Sequence, residues 1–212
     1  MTGNVNIFKV HDTIMTEYKS FITSYMNIHN SAISDKITVE MQDGRYWPDP
    51  LIQFNPSFMK SGSVDDLCPK MLNSGIKDAF KGYSIYKHQV EALKLGIAGK
   101  DFIVTSGTGS GKSLTYIGTI FNRLLNDFDN GNIRSGIKAI IVYPMNAQIN
   151  SQVKELDRYK ENYESINGKD SFPINYAKYT GETESDDRKK ITDEQPDIIL
   201  TNYMMLELIL TR

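Results

Sequence analysis

Residues 101–115 read DFIVTSGTGSGKSLT, and their reading decides the fold. Phe102, Ile103 and Val104 make a short apolar, β-branched run, the composition of a buried parallel strand. Ser106 to Gly111 then alternate small residues with glycine, Lys112-Ser113 close the loop, and Leu114 to Leu125 continue at helical spacing. Gly107, Gly109 and Gly111 let the backbone turn tightly and aim successive N–H groups into one concavity. The helix that follows adds the positive end of its dipole. Ser106, Gly107, Thr108, Gly109, Ser110 and Gly111 are therefore a candidate phosphate cradle. Lys112 is placed to reach β- and γ-phosphates, and the Ser113 hydroxyl to ligate Mg²⁺. The strict form of this loop has glycine six positions before the lysine, where this chain has Ser106. A glycine-rich turn with a chance Gly-Lys-Ser is the competing reading, and the flanking strand and helix argue against it.

Working outward, Tyr86 to Ala98 reads as a helix, with Val90, Leu93, Leu95 and Ile97 as its apolar positions. Tyr86 and Gln89 lie about twenty residues before the loop. A glutamine amide can pair in bidentate fashion with the N6/N7 edge of adenine, and an aromatic ring nearby can stack on the base. His88 reads as a solvent-facing helix residue.

On the other side, Lys138 to Tyr143 (KAIIVY) is a second buried strand running into Pro144 and a helix from Met145 to Leu156. Ile174 to Tyr179 is a third strand, followed by Thr180-Gly181-Glu182-Thr183 and a charged helix from Glu184 to Asp193. Pro196 stops that segment. Asp197 to Leu200 is a fourth strand, and Thr201-Asn202 leads into a helix from Met204 to Leu210. Four apolar strands alternating with helices indicate a parallel α/β sheet. Ligands of such sheets bind beyond the carboxyl ends of the strands, where all of these loops lie.

Before residue 81 the chain is different in kind. Phe8 to Ile28 reads as a helix whose stripe is Ile14, Tyr18, Phe21, Ile22, Tyr25 and Met26, a core or docking face. Ser34-Asp35 can cap a second short helix that Gly44 ends. Trp47 to Phe58 carries Pro48, Pro50 and Pro56, which forbid a long regular element. Its Trp47, Leu51, Phe54 and Phe58 would pin an extended segment onto the main domain, with a partner-binding surface as the alternative. Ser61 to Tyr83 reads as a connection with a weak helix near Ile76 to Phe80. We therefore expect a mainly helical and extended region over 1–80 and the α/β domain over 81–212.

Composition narrows the partners. The 212 residues are 40% hydrophobic and 24% charged, which is globular, and the net charge of −2 makes no basic nucleic-acid magnet of the whole surface. Any such binding must come from local patches and helix ends. Cys68 is the single cysteine, so neither an internal disulfide nor a cysteine zinc cluster is available. Met1 to Val10 lacks the basic start and apolar core of a secretory signal, and Ile198 to Leu210 is too short and polar to span a membrane. These features point to a cytoplasmic protein without a membrane partner.

With the turns in place, residues 83–212 resemble the first RecA-like domain of DEAD/DEAH-box, superfamily 2 helicases, which tolerate serine at the position of Ser106. The resemblance makes Tyr86 and Gln89 the Q motif, Ser106 to Ser113 motif I, and Tyr143 to Ala147 motif Ia. Thr180 to Thr183 is similar to the Tyr-Thr-Gly element, and Pro196 to Tyr203 to the later one. The combination, with the upstream LIQFNPSF, is similar to a bacterial subgroup of large helicases, some in anti-phage defence of the DISARM type and others in DNA repair. It implies ATP and Mg²⁺ as cofactors and single-stranded or duplex DNA as partner, with RNA not excluded. Pro144, Asn146, Thr180, Gly181, Thr201 and Asn202 would then grip phosphates without reading sequence. Ordinary N-caps are the alternative for Thr180 and Thr201.

Turnover needs more: an acidic residue at a strand end for the metal, a group to orient water, and an arginine finger. No apolar run followed by Asp-Glu occurs in the 212 residues, and Asp197 precedes its strand. Arg123 and Arg188 read as surface residues. We expect an ATP- and DNA-binding helicase part, with Lys112 and Ser113 as its catalytic residues, that needs a missing helicase portion or partner subunit for turnover. A non-catalytic ATP- or DNA-binding regulatory module is the alternative. A P-loop kinase is disfavoured, because the Thr-Gly and Thr-Asn turns have no role in it.

Overall fold

The computed structural model describes residues 6–42, 50–51, 57–68, 70–132 and 135–211. Two compact units divide the chain, residues 1–55 and 56–212.

The first unit is a helix pair. Asn6 caps helix α1 (Ile7–Ser24), its side-chain oxygen accepting from the N–H groups of Phe8 and Lys9. Helix α2 (Ser31–Gln42) starts earlier than Ser34-Asp35, because the Asn30 side chain accepts from the Ile33 N–H and supplies the cap. The expected apolar stripe is present but not buried. No residue of α1 is buried, and Ile14, Phe21 and Tyr25 are more than half exposed. Tyr18, Ile22 and Met26 line a cleft with Ile37 and Met41. Trp47 and Phe54 lie outside the described residues, and Leu51 is exposed.

The second unit is built around helix α6 (Lys112–Asp129). Its Leu114, Ile117, Phe121, Leu124 and Leu125 recur at helical spacing and are all buried. The stretch expected to be a connection contributes much of the packing. It forms strand β1 (Lys60–Ser63), helix α3 (Val64–Leu67) and helix α4 (Gly75–Ala79). Val64, Cys68, Leu72, Ile76 and Phe80 enter the same core as α6. The boundary expected near Lys81 thus falls within this unit. Burial pushes the Cys68 thiol above its ordinary value. Strand β2 (Ser84–Tyr86) pairs antiparallel with β1 and leads into helix α5 (Lys87–Ile97).

Helix α5 lies against α6 with little room to spare. A Cβ on Gly96 would sit 2.5 Å from Thr119 Oγ1 and 2.6 Å from its Cγ2. Gly96→Ala is expected to lower stability by about 1–3 kcal/mol in urea denaturation, although alanine is the better helix former.

The sheet has three parallel strands in the order β3 (Ala139–Tyr143), β5 (Ile198–Asn202), β4 (Tyr176–Lys178). Ala139 faces Ile198, Tyr143 faces Asn202, and Lys178 faces Leu200. Helices α7 (Asn146–Asn167), α8 (Ser185–Glu194) and α9 (Tyr203–Thr211) complete the alternation. Ile141, Ile198 and Leu200 join the core that includes Ile149 and Leu156 of α7. Ile140 and Val142 point to the other face, where they are 52% and 41% exposed.

The strand expected at Phe102–Val104 does not form. The segment is extended without a ladder, and Ile103 is 92% exposed. A parallel strand exists only through its neighbours. Strand β5 already has two, and among the described residues β3 pairs on one edge alone, with β5. The α/β parallel architecture therefore stands, with three strands where four were expected.

Asp197 pins the amino ends of the strands. Its carbonyl accepts from the N–H groups of Lys138 and Ala139, Oδ1 lies 2.6 Å from Lys138 Nζ, and Oδ2 accepts from the Asn175 N–H at 2.8 Å. That placement, at the end opposite to the loops, makes it structural.

Candidate nucleotide and nucleic-acid sites

The glycine loop is a closed cradle. Gly109 and Gly111 take left-handed φ values of +77° and +70°, which a side chain would strain. Ser110 is fully buried, with its hydroxyl 2.6 Å from that of Ser106. Lys112 folds back, its ammonium donating to the carbonyls of Ser106 (2.9 Å) and Gly107 (2.8 Å). The lysine thus occupies the concavity that a phosphate would enter. The Ser113 hydroxyl makes no hydrogen bond among the described residues and faces a cleft of about 740 Å³. Tyr86, Gln89, Gly109 and Gly111 line the same cleft, with Lys81, Glu155 and Arg158.

Gln89 is buried, and both ends of its amide are engaged. Its Oε1 accepts from the Tyr86 N–H at 2.8 Å and its Nε2 donates to the Gly111 carbonyl at 2.8 Å. The amide expected to read adenine here ties α5 to the loop. His88 is not solvent-facing. Its Nε2 lies 3.0 Å from the Ser110 carbonyl, which requires the proton on that nitrogen. The rings of Phe58 and Tyr86 flank His88 at 5.6 and 5.8 Å. Histidine next to glutamine on a helix gave no signal of this contact, because the loop it touches is 22 residues away.

The three other strand-end loops converge. Thr180 is fully buried. Its hydroxyl accepts from the Glu182 N–H, and its own N–H donates to Thr183 Oγ1. Arg188, expected on the surface, braces this turn instead. It donates to the carbonyls of Thr180 (3.2 Å) and Gly181 (3.1 Å) and lies 5.8 Å over the Tyr179 ring. Thr201 is also fully buried, with its hydroxyl unpartnered beside an apolar cavity lined by Ile140, Ile199 and Leu206. Pro144, Gly181, Asn146 and Asn202 remain at or near the surface. Beneath Pro144, burial and a hydrogen bond with Tyr116 push the Tyr143 phenol well above its ordinary value, so it stays neutral. Arg123 is exposed and pairs with Asp127, as a surface residue does. The one Asp-Glu pair, Asp193-Glu194, closes α8 and lies at no strand end. Among the described residues no cluster of three metal-ligating side chains occurs, and no helix is long and apolar enough to cross a membrane.

A parallel α/β sheet with this loop at the start of α6 places the domain in the RecA-like class. The family model described as DEAD/DEAH box helicase matches residues 86–212, more than half of the chain. The chain belongs to that family. It is 30% identical over 125 residues to an uncharacterised ATP-dependent helicase of Methanocaldococcus jannaschii, covering 59% of this chain and 17% of that protein. It is 24% identical over 192 residues to the Druantia protein DruE of Escherichia coli, covering 82% of this chain and 10% of DruE. The structure of the Mycobacterium smegmatis helicase Lhr bound to ssDNA and AMP-PNP shares the fold. Its TM-score is 0.58 at 20% identity, over 68% of this chain and 18% of that one. The chain thus spans under a fifth of each of these proteins.

Proposed function

We propose that this chain is the ATP- and nucleic-acid-binding part of a cytoplasmic superfamily 2 DNA helicase or translocase. The observation that carries the reading is the self-occupied loop: Lys112 holds two carbonyls in a concavity walled by left-handed glycines. An ammonium held by uncharged oxygens, here two carbonyls and at 3.5 Å the Ser110 hydroxyl, exchanges readily for phosphate oxygens, which offer it full charge. Tyr86 would stack on the base and Ser106 to Gly111 would hold the phosphates, while Gln89 could turn to the base only by giving up its bonds to the Tyr86 N–H and the Gly111 carbonyl. Mg²⁺ would be held by Ser113 and by the phosphates themselves, with water completing its octahedral shell.

Nucleic acid would lie across the strand-end loops, held by Pro144, Asn146, Gly181 and Asn202 and the backbone around them. Thr180 and Thr201, as they are buried, would act from beneath as supports of that surface. DNA is preferred over RNA only by the resemblance of the motif set to large DNA helicases. Labelled single-stranded DNA should bind the chain regardless of sequence. Affinity should fall about tenfold between 50 and 200 mM salt, as neutralising two or three phosphates gives. Salt-independent or absent binding in fluorescence anisotropy would remove the nucleic-acid half of the proposal.

On this reading the chain alone binds ATP without turning it over, because the described residues offer no acid at a strand end near Ser113. The exposed Ile140 and Val142 on β3 suit cover by a further helicase portion or a partner subunit. The same missing acid favours one alternative, a regulatory ATP- or DNA-binding module of a larger complex.

A further inference from the structure

We propose that Glu182, Asn146 and Asn202 form a positioning relay that locks three strand-end loops into one nucleic-acid-gripping surface. The inference rests on the nucleic-acid reading above and adds to it a residue and a role.

The three residues belong to three different connections. Asn146 opens α7 after β3, Glu182 lies in the turn between β4 and α8, and Asn202 ends β5. Asn146 Nδ2 donates to Glu182 Oε1 at 2.9 Å, and Asn202 Nδ2 donates to Asn146 Oδ1 at 2.9 Å. Asn202 Oδ1 accepts from the Met205 N–H at 2.7 Å and so caps α9.

The direction of every bond is forced from both ends. A backbone N–H only donates, so Asn202 must turn its oxygen to Met205 and its NH₂ to Asn146. Asn146 must then offer its oxygen to Asn202 and its NH₂ to Glu182, whose ionised carboxylate only accepts. No amide can flip without breaking two bonds. The link to Glu182 is charge-assisted and the stronger one.

Glu182 is otherwise out of place. A carboxylate on a surface meant for phosphates repels them, so electrostatics alone would select against it. Its acceptor capacity, used to orient Asn146, gives it a purpose there. The relay joins residues 36 and 56 positions apart, so it acts between loops and not within one.

Two measurements on the same chain test this. The first is amide hydrogen exchange at Met205. Glu182→Ala and Asn146→Ala should each speed it about fivefold, as loss of one ordinary hydrogen bond would, although the Met205 N–H bonds to Asn202 and to neither of them. Glu182→Gln keeps an acceptor and should restore slow exchange. The second is binding of labelled single-stranded DNA. Glu182→Ala should weaken it even though it removes a repelling charge, and Glu182→Gln should not. Exchange at Met205 unchanged in Glu182→Ala and Asn146→Ala overturns the relay. Tighter or equal DNA binding by Glu182→Ala overturns its role in gripping. A parent chain that binds no DNA, yet shows the coupled exchange, would keep the relay and discard the nucleic-acid reading.

Discussion

Lys112→Ala abolishes nucleotide binding at concentrations that saturate the parent chain, an expected loss of about a hundredfold or more. The estimate follows from removing charge-assisted bonds to phosphate worth about 1.5–3 kcal/mol each, with two such bonds within reach of one ammonium. The substitution also deletes the bonds to Ser106 and Gly107 that close the free loop. Calorimetric titration with Mg-ATP reads the affinity, and a thermal melt shows that the fold persists. Unchanged affinity would mean that nucleotide, if bound, sits elsewhere. Turnover measured alongside should be absent with and without single-stranded DNA. DNA-stimulated turnover lost in Lys112→Ala would show instead that a residue of this chain holds the metal after all.

Phe121→Ala has the largest expected effect on stability, about 3–5 kcal/mol in urea denaturation. Phe121 is fully buried in α6, and its ring meets Phe80 at 5.8 Å, Phe172 at 5.6 Å and Tyr159 at 6.1 Å. These rings come from the segment after α4, the segment before β4, and α7, so one truncation loosens three neighbours of the helix. Domains of this size are stable by only about 5–15 kcal/mol, so much of the folded population is at risk. Because α6 begins with Lys112 and Ser113, nucleotide affinity should fall with it. Phe121→Leu keeps most of the volume and should cost far less. A loss under about 1 kcal/mol for the alanine variant would show that the ring cluster is not the packing centre of the unit.

The parts of this fold legible in the residues are those with a local cause. The glycine loop is legible because left-handed turns need glycine and because Lys-Ser follows at a set distance. Helix α6 is legible through its 3.6-residue stripe, and β3 and β5 through short apolar runs bounded by Pro144 and Pro196. The misreadings have a common physical origin in long-range contact. Residues 61–83 look like a connection because Gly62, Pro69, Gly75 and Gly82 punctuate them, yet Val64, Ile76 and Phe80 are core residues. Phe102–Val104 has the composition of a strand, but composition cannot provide a neighbouring strand to bond with. Arg188 looks like one more charge on a polar helix until the Thr180-Gly181 turn folds beneath it.

The sequence by itself determined the α/β class, the family and the glycine-rich turn before α6, since each is carried by short motifs whose residues lie a few positions apart and whose chemistry is expressed wherever the chain runs. Only the tertiary structure decided what the side chains around that loop do. Gln89 and His88 grip carbonyls 22 residues away, Lys112 fills its own cradle, and Thr180 and Thr201 are buried beneath the surface they seemed to form. Glu182, Asn146 and Asn202 are likewise joined only when β3, β4 and β5 lie side by side in register. A hydrogen bond needs its partner within about 3 Å, and for groups so far apart in the chain only the packed fold provides that proximity.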